Sequence, residues 1–358
     1  MYFASSLNFI ALCALVTATF ADAAIVAKRD PPPPPGPGKQ PHPHPSPPAD
    51  PPSGPHPSPQ RPITDAIIMG DSYTDSCNVY LQNYNATGGN PKYPFPTCPP
   101  PPTGRADQGR SWPEWVRIDQ GQKEEPGSPP GGEPVNPSQW NIVNLAQSGA
   151  VCDNSIFPRT VPDIGQQTKL YQTHYNTKPA ASHIYTPADS TLLIMFIGTN
   201  DVTYIVNGTG SVAQETSCIS SKLDTLHTLG FKRFLMVQNI NLQDCPQLAN
   251  TKNTSSVVHQ DNDQQQKLFS QLTKQWNDGT SIDIFPAYDL FSAFYDHPSE
   301  YGFDNVHQGC NTCSTPDKYL WANSLHPSSR AFHIFAKKVV KFTNGVRGQQ
   351  LINGAEGV

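Results

Sequence analysis

Four short apolar runs, set far apart, most constrain what this chain can become: Ala66-Ile67-Ile68-Met69, "STLLIMFIGTND" (Ser190 to Asp201), "FKRFLMVQNI" (Phe231 to Ile240) and "SIDIFPAY" (Ser281 to Tyr288). The first three, without polar alternation, read as buried strands, and "SIDIFPAY" reads as a further strand. Among them lie stretches of helical spacing. These are "SVAQETSCISSKLDTLHTLG" (Ser211 to Gly230), whose last glycine suits a C-cap, "NTSSVVHQDNDQQQKLFSQLTKQW" (Asn253 to Trp276) and "SSRAFHIFAKKVVKFT" (Ser328 to Thr343). Strands alternating with helices specify an α/β fold: a mainly parallel sheet with helices on both faces, a three-layer α/β/α sandwich.

The ends of the chain lie outside that unit. Residues 1–23 hold the apolar stretch Phe9 to Val16 followed by small residues and Ala21-Asp22-Ala23, the pattern of a cleaved secretory signal peptide. Residues 24–62 are a tail dominated by proline, in which almost nothing can be buried; such a segment stays extended and disordered, at roughly 3.1 Å per residue. Within it, Lys28-Arg29 reads as a processing site or as two solvated charges, and the "PHPHP" histidines as a weak metal site or, the favoured reading, part of a solvated tail. Residues 63–345 form one domain, long enough to bury a full core. Residues 346–358 are a C-terminal tail.

Several partner classes drop out. A net charge of −5 over 358 residues offers no basic footprint for nucleic acid. No segment approaches the 18 or so consecutive apolar residues of a membrane span. The oligomeric state is not written in the sequence. Beyond the signal there are seven cysteines, Cys77, Cys98, Cys152, Cys218, Cys245, Cys310 and Cys313, which an exported chain uses as disulfides with at least one thiol left over or paired with another chain. His307, Cys310 and Cys313 lack a fourth ligand at zinc spacing, so no metal is expected. Sequons at Asn85, Asn207 and Asn253 mark candidate glycosylation sites and agree with a secreted, extracellular protein.

The loop "YPFPTCPPPPTGRADQGRSWPEW" (Tyr93 to Trp115) carries too many prolines for much regular structure and is expected to cross the top of the sheet. Its aromatic residues, Tyr93, Phe95, Trp112 and Trp115, could stack on a sugar ring or simply pin the loop.

Chemistry concentrates at the predicted strand ends. "GDSYTD" places Ser72 just past the first strand; "NLAQSGA" (Asn144 to Ala150) places Gly149 in a tight turn; "IGTND" (Ile197 to Asp201) places Asn200 past another strand; and "NSLHPSS" places His326 before the last helix. A serine nucleophile needs a base, and its reaction is fast only if donors await the developing oxyanion. Each of the four alone is an ordinary turn or cap residue. Together they supply a nucleophile, a base and a neutral amide. His333, further along the last helix, reads as a surface or packing histidine.

These four blocks, in this order, resemble the GDSL-type esterases and lipases of the SGNH hydrolase superfamily; "PPTGRADQGRSWPEW" and "YGFDNVHQGCNTC" extend the resemblance. Within it the chain is most similar to fungal-type acetylesterases of carbohydrate esterase family 16. The resemblance implies a flavodoxin-like sheet, and Ser72 is not followed by the glycine of an α/β-hydrolase elbow. It also implies catalysis by Ser72 with His326 as base, an oxyanion hole of the Ser72 and Gly149 backbone N–H groups and the Asn200 side chain, and no cofactor. The implied partner is a small acyl ester or acetylated carbohydrate, acetyl groups on plant cell-wall polymers leading. A lipase or phospholipase acting on longer chains is the alternative among enzymes. A non-catalytic carbohydrate- or surface-binding protein that keeps the fold is the alternative outside them.

One residue departs from the family pattern. Three positions before His326, where the family has Asp, stands Asn323. Its carbonyl can orient an imidazole, as in Cys-His-Asn sites, but it brings no charge to stabilise the imidazolium. Three accounts follow: a Ser72–His326 pair oriented by Asn323 or a backbone carbonyl, another carboxylate such as Asp304 or Asp317 reaching in, or a slow or inactive site. On the first account, which we favour, Asn323→Asp preserves or raises kcat.

Overall fold

The computed structural model describes residues 65–80, 104–107, 109–121, 140–176 and 186–345. Five parallel strands form the central sheet: β1 (Asp65–Gly70), β2 (Asn141–Asn144), β3 (Leu192–Phe196), β4 (Arg233–Val237) and β5 (Ser281–Phe285), in the order β2-β1-β3-β4-β5. The helices are α1 (Trp112–Asp119), α2 (Ile164–His174), α3 (Thr199–Val206), α4 (Val212–Thr228), α5 (Thr254–Trp276), α6 (Ala287–Asp296) and α7 (Ser329–Thr343). A two-stranded parallel ribbon, β6 (Asn305–Gly309) and β7 (Tyr319–Trp321), precedes the last helix.

The absence of polar alternation in β1 and β3 has its expected cause, whereas β5, at the edge of the sheet, is only partly buried. Ala66 and Ile68 of β1 point into a core shared with α1, α6 and α7, whereas Ile67 and Met69 point into a second core with α2, α4 and α5. The same division holds along β3, with Ile194 and Phe196 on one side and Leu193 and Met195 on the other. At about 1.5–3 kcal/mol per large apolar side chain, two such cores dominate the stabilisation of the sandwich.

The prolines of the 93–115 loop do not prevent α1. Pro113 falls in its first turn, where a missing N–H costs nothing, and Ser111 and Glu114 form a reciprocal capping box. At the other end of the domain, "SIDIFPAY" divides: β5 stops at Phe285, and α6 starts beyond Pro286. Cys152–Cys218 and Cys310–Cys313 are disulfides, Cys77 is also disulfide-bonded, and Cys245 is a buried free thiol.

Where α3, α4 and α5 pack together, three carboxyl groups are fully buried: Asp201, Glu215 and Asp261. Asp261 accepts hydrogen bonds from Asn239 (2.7 Å) and Gln265 (2.8 Å), and Asp201 accepts one from the Cys152 N–H (2.8 Å). Burial, reinforced for Asp201 by Asp71 and Asp261 and for Glu215 by Asp261 and Asp201, raises the pKa of each, so protons are held there that exposed carboxylates would release.

The strand order reverses between β1 and β3, one strand running on to β2 and the other to β4. In open parallel sheets that point leaves a crevice at the carboxyl ends. The strands close tightly here. Gly70 pairs with Phe196, a Cβ on Gly70 would stand 2.3 Å from the Phe196 carbonyl oxygen, and that same oxygen accepts the Asp71 N–H (3.3 Å). Gly70→Ala is therefore expected to cost about 2–4 kcal/mol by forcing backbone apart in the sheet. Urea unfolding of the variant measures it, and a loss below about 0.5 kcal/mol would contradict the close approach.

Candidate active site

The turn after β1 is built by its own first residue. The Asp71 side chain accepts the Tyr73 N–H (3.0 Å), and its carbonyl accepts those of Thr74 (3.1 Å) and Asp75 (2.9 Å). This tight turn lifts Ser72 to the end of the sheet, where it is largely buried. Gln167, buried in α2, clamps the preceding peptide: its Oε1 accepts the Gly70 N–H (3.0 Å) and its Nε2 donates to the Gly70 carbonyl (2.9 Å).

His326 arrives from a loop closed on itself. Trp321 bridges to Pro327, and the Ala322 N–H donates to the His326 carbonyl (2.8 Å). The β6–β7 ribbon supports the loop from outside, through hydrogen bonds from Cys310 to Trp321 and from Asn311 to Ala322. Tyr73 holds it from inside. The phenol donates to the Leu325 carbonyl (2.8 Å), and the ring meets the imidazole edge to face at 5.8 Å. The imidazole Nε2 then lies 2.9 Å from Ser72 Oγ, and Nδ1 lies 3.0 Å from Asn323 Oδ1.

Four partners settle which way the Asn323 amide faces. Its Oδ1 accepts the N–H groups of Leu325 (3.0 Å) and His326 (2.8 Å) as well as the imidazole, while its Nδ2 donates to the Ala106 carbonyl (2.9 Å). An oxygen that only accepts requires the proton on Nδ1, which leaves Nε2 as the acceptor for the serine hydroxyl. Asp304 and Asp317 are exposed, and Asp304 faces Lys318. Burial lowers the imidazole pKa to about 4, with no carboxylate to offset it.

The three donors the sequence points to are the Ser72 and Gly149 N–H groups and the Asn200 side chain. Among the described residues, the backbone N–H groups of Ser72 and Gly149 have no protein acceptor. Gly149 has φ 87°, a left-handed conformation that favours glycine, while the nearest atom to an added Cβ would be 3.5 Å away. The backbone, rather than space, demands glycine there. Asp75 ties this turn to the Ser72 turn: its Oδ2 accepts both the N–H and the hydroxyl of Ser148, each at 2.8 Å, and its side chain also accepts the N–H groups of Asn78 and Val79. Asn200 sits in the first turn of α3, its Nδ2 donating to the Ala150 carbonyl (2.9 Å).

The structure thus brings Ser72, Gly149, Asn200, Asn323 and His326 to one end of the sheet. The aromatic loop residues take another part. Trp112 is fully buried and donates to Thr74 Oγ1 (3.1 Å). Trp115 is stacked on His333 at 4.1 Å, with the Arg110 guanidinium 5.4 Å from its ring. Neither is free to stack on a sugar; both pin the loop to the domain. Tyr93 and Phe95 lie outside the described residues. His333 pairs with Asp119 (2.9 Å) on the surface, away from the Ser72–His326 contact.

Gln167 and Asp75 escape a reading of the sequence alone. Asp75 lies inside the "GDSYTD" block, but its partner Ser148 is 73 residues away. A buried glutamine on a helix looks, in sequence, like any surface glutamine. Asp75→Asn replaces an acceptor-only group with one whose NH₂ must confront donors; we expect a lower Tm and a kcat loss of about tenfold through displacement of Gly149. Unchanged kinetics in the folded variant would mean that Asp75 only stabilises the turn.

The sequence profile of the GDSL-like Lipase/Acylhydrolase family matches residues 67–339. A Hypocrea jecorina protein named acetylesterase is 22% identical over 342 residues, covering 78% of this chain and 88% of its own. A GDSL esterase/lipase of Arabidopsis thaliana is 22% identical over 319 residues, covering 78% and 87%. Among solved structures, an acetylxylan esterase from Geobacillus stearothermophilus superposes with a TM-score of 0.42 at 12% identity, covering 80% of this chain and 98% of that one. With the family profile spanning most of its length, this chain belongs to the GDSL-like lipase/acylhydrolase family and is a carboxylic ester hydrolase.

Proposed function

We propose that the protein is a secreted serine esterase that removes small acyl groups, chiefly acetyl, from carbohydrate esters such as those of the plant cell wall. The observation that carries this reading is the hydrogen-bonded line Asn323–His326–Ser72 set beside two unpaired backbone N–H groups. Ser72 Oγ attacks the ester carbonyl carbon as its proton passes to His326 Nε2. The tetrahedral oxyanion accepts hydrogen bonds from the Ser72 and Gly149 N–H groups and from Asn200 Nδ2. Collapse expels the alkoxide, which takes the proton back from His326, and leaves Ser72 acylated. Water, deprotonated by the same imidazole, then releases the acid.

Asn323 serves this cycle because its orientation is fixed. In a serine protease, replacing the Asp by Asn costs about 10⁴-fold, chiefly because the imidazole adopts the wrong tautomer. Here the Ala106 carbonyl takes the Asn323 NH₂ and two backbone N–H groups take positions on its oxygen, so the oxygen faces Nδ1. The tautomer is preserved, and only the charge is missing. Acetyl as the acyl group is supported by the Hypocrea jecorina relative named acetylesterase. Export is supported by the 1–23 signal pattern, by the disulfides, and by the exposure of Asn207 and Asn253; Asn85 lies outside the described residues. No helix among the described residues is long and apolar enough to cross a membrane.

Purified protein is expected to hydrolyse p-nitrophenyl acetate far faster than p-nitrophenyl octanoate, and Ser72→Ala to lower kcat at least about 10³-fold. A strong octanoate preference would replace the acetylesterase reading with a lipase. Failure of both esters, with no labelling of Ser72 by an organophosphate, would favour a non-catalytic protein.

The pH dependence follows from the imidazole. It must be neutral to accept the serine proton, and its pKa is depressed to about 4. kcat/KM should therefore hold its plateau down to about pH 4 and fall only below it. Asn323→Asp should keep or raise kcat at neutral pH and move the acid limb upward, because a carboxylate favours the imidazolium. It should also lower Tm, since a carboxylate oxygen would then face the Ala106 carbonyl. A wild-type acid limb near pH 6.5, or a kcat loss above about tenfold in Asn323→Asp, would contradict this account.

A further inference from the structure

Arg159 stands on the loop between β2 and α2 and is exposed. Among the described residues no carboxylate pairs with it. Instead its Nη2 donates to Asn200 Oδ1 (3.2 Å), and its guanidinium lies 5.2 Å from the centroid of the Tyr204 ring. Tyr204 in turn donates its hydroxyl to the Pro158 carbonyl (2.6 Å), which fixes the backbone immediately before Arg159. An arginine at the surface usually points its charge into water or toward an acid. This one is held against an aromatic face with one donor committed to a neutral amide.

That amide is the side chain assigned to the oxyanion. A side-chain amide can turn over, exchanging oxygen and nitrogen at little intrinsic cost, and only one orientation presents N–H to a developing negative charge. With Nδ2 on the Ala150 carbonyl and Oδ1 under the guanidinium, turning over would set an oxygen against a carbonyl oxygen and an NH₂ against a cation. The second Nδ2 hydrogen stays available for the oxyanion. The cation on Oδ1 also draws charge from the amide and strengthens its N–H as a donor.

We propose that Arg159 is a positioning residue that locks Asn200 with its N–H groups toward the oxyanion and polarises that amide from behind. This inference rests on the esterase reading of Ser72 and Asn200 and deepens it. Arg159 acts through Asn200 and makes no contact with the reacting atoms.

The test is a double-mutant cycle on the full chain with p-nitrophenyl acetate, alongside NMR of the Asn200 side-chain NH₂, assigned by its disappearance in Asn200→Ala. Removing one oxyanion donor outright typically costs about 10²–10³-fold in kcat, so loosening it by Arg159→Ala should cost about 10-fold, with KM little changed. Arg159→Lys should recover part of the loss, as should millimolar guanidinium added to Arg159→Ala. In the Asn200→Ala background the same substitution should cost less than twofold. The Asn200 NH₂ signals should shift in Arg159→Ala. Equal losses in both backgrounds would overturn the inference, because Arg159 would then act on the substrate itself, and a loss below twofold in the wild-type background would overturn it too. The NMR arm is independent of turnover: if the wild-type protein hydrolyses no ester, shifted signals keep the positioning role while the esterase reading falls, and unshifted signals sink the positioning role.

Discussion

The parallel pairing of β1 with β3 is the constraint on which the rest of this domain depends. It joins the two strands at which the sheet's order reverses, and it ends with Gly70 pressed against the Phe196 carbonyl. Both strands therefore end together, and the turns that carry Ser72 and Asn200 leave the sheet side by side. The close approach also explains the clamp by Gln167. A peptide stripped of water at the end of a buried strand must find its hydrogen bonds in the protein, and Gln167 supplies one donor and one acceptor to it.

Around that pair, the remaining groups are delivered by loops and by the start of α3, each held by a buried or half-buried polar side chain. Asp75 couples the Gly149 turn to the Ser72 turn, Asp201 couples the Cys152 backbone to α3, and Asn323 couples the His326 loop to Ala106. Hydrogen bonds thus join segments far apart in the chain at the site, with the Tyr73 ring packed against the imidazole. Such a network is rigid when complete and sensitive to the loss of any one member.

The layers of the fold were legible because strands buried on two faces cannot hide their composition: Ile67, Ile68 and Met69 all need partners. The helices α1, α2 and α6 were harder. Prolines around α1 mask its capping box, α2 begins with the polar "IGQQTK", and α6 follows Pro286 so closely that it merges with the preceding strand. At the site, the blocks holding Ser72, Gly149, Asn200 and His326 could be read because each lies at a strand end or helix start. The orientation of Asn323 could not. It depends on a carbonyl 217 residues away, just as Gln167 depends on a glycine 97 residues away, and no local pattern records such a distance.

The buried carboxyl groups between α3, α4 and α5 bear on the conditions in which this chain can persist. Asp201, Glu215 and Asp261 bind protons more tightly folded than unfolded, so the native state carries more protons across the interval between their ordinary and raised pKa values. By linkage, the stability they lend is complete in acid and drains away as the medium turns alkaline and the cluster is forced to ionise in a dry space. The buried His326 runs the other way: its folded pKa, lowered to about 4, costs the fold stability as the medium turns acid, so cluster and imidazole bound the stable range from opposite sides.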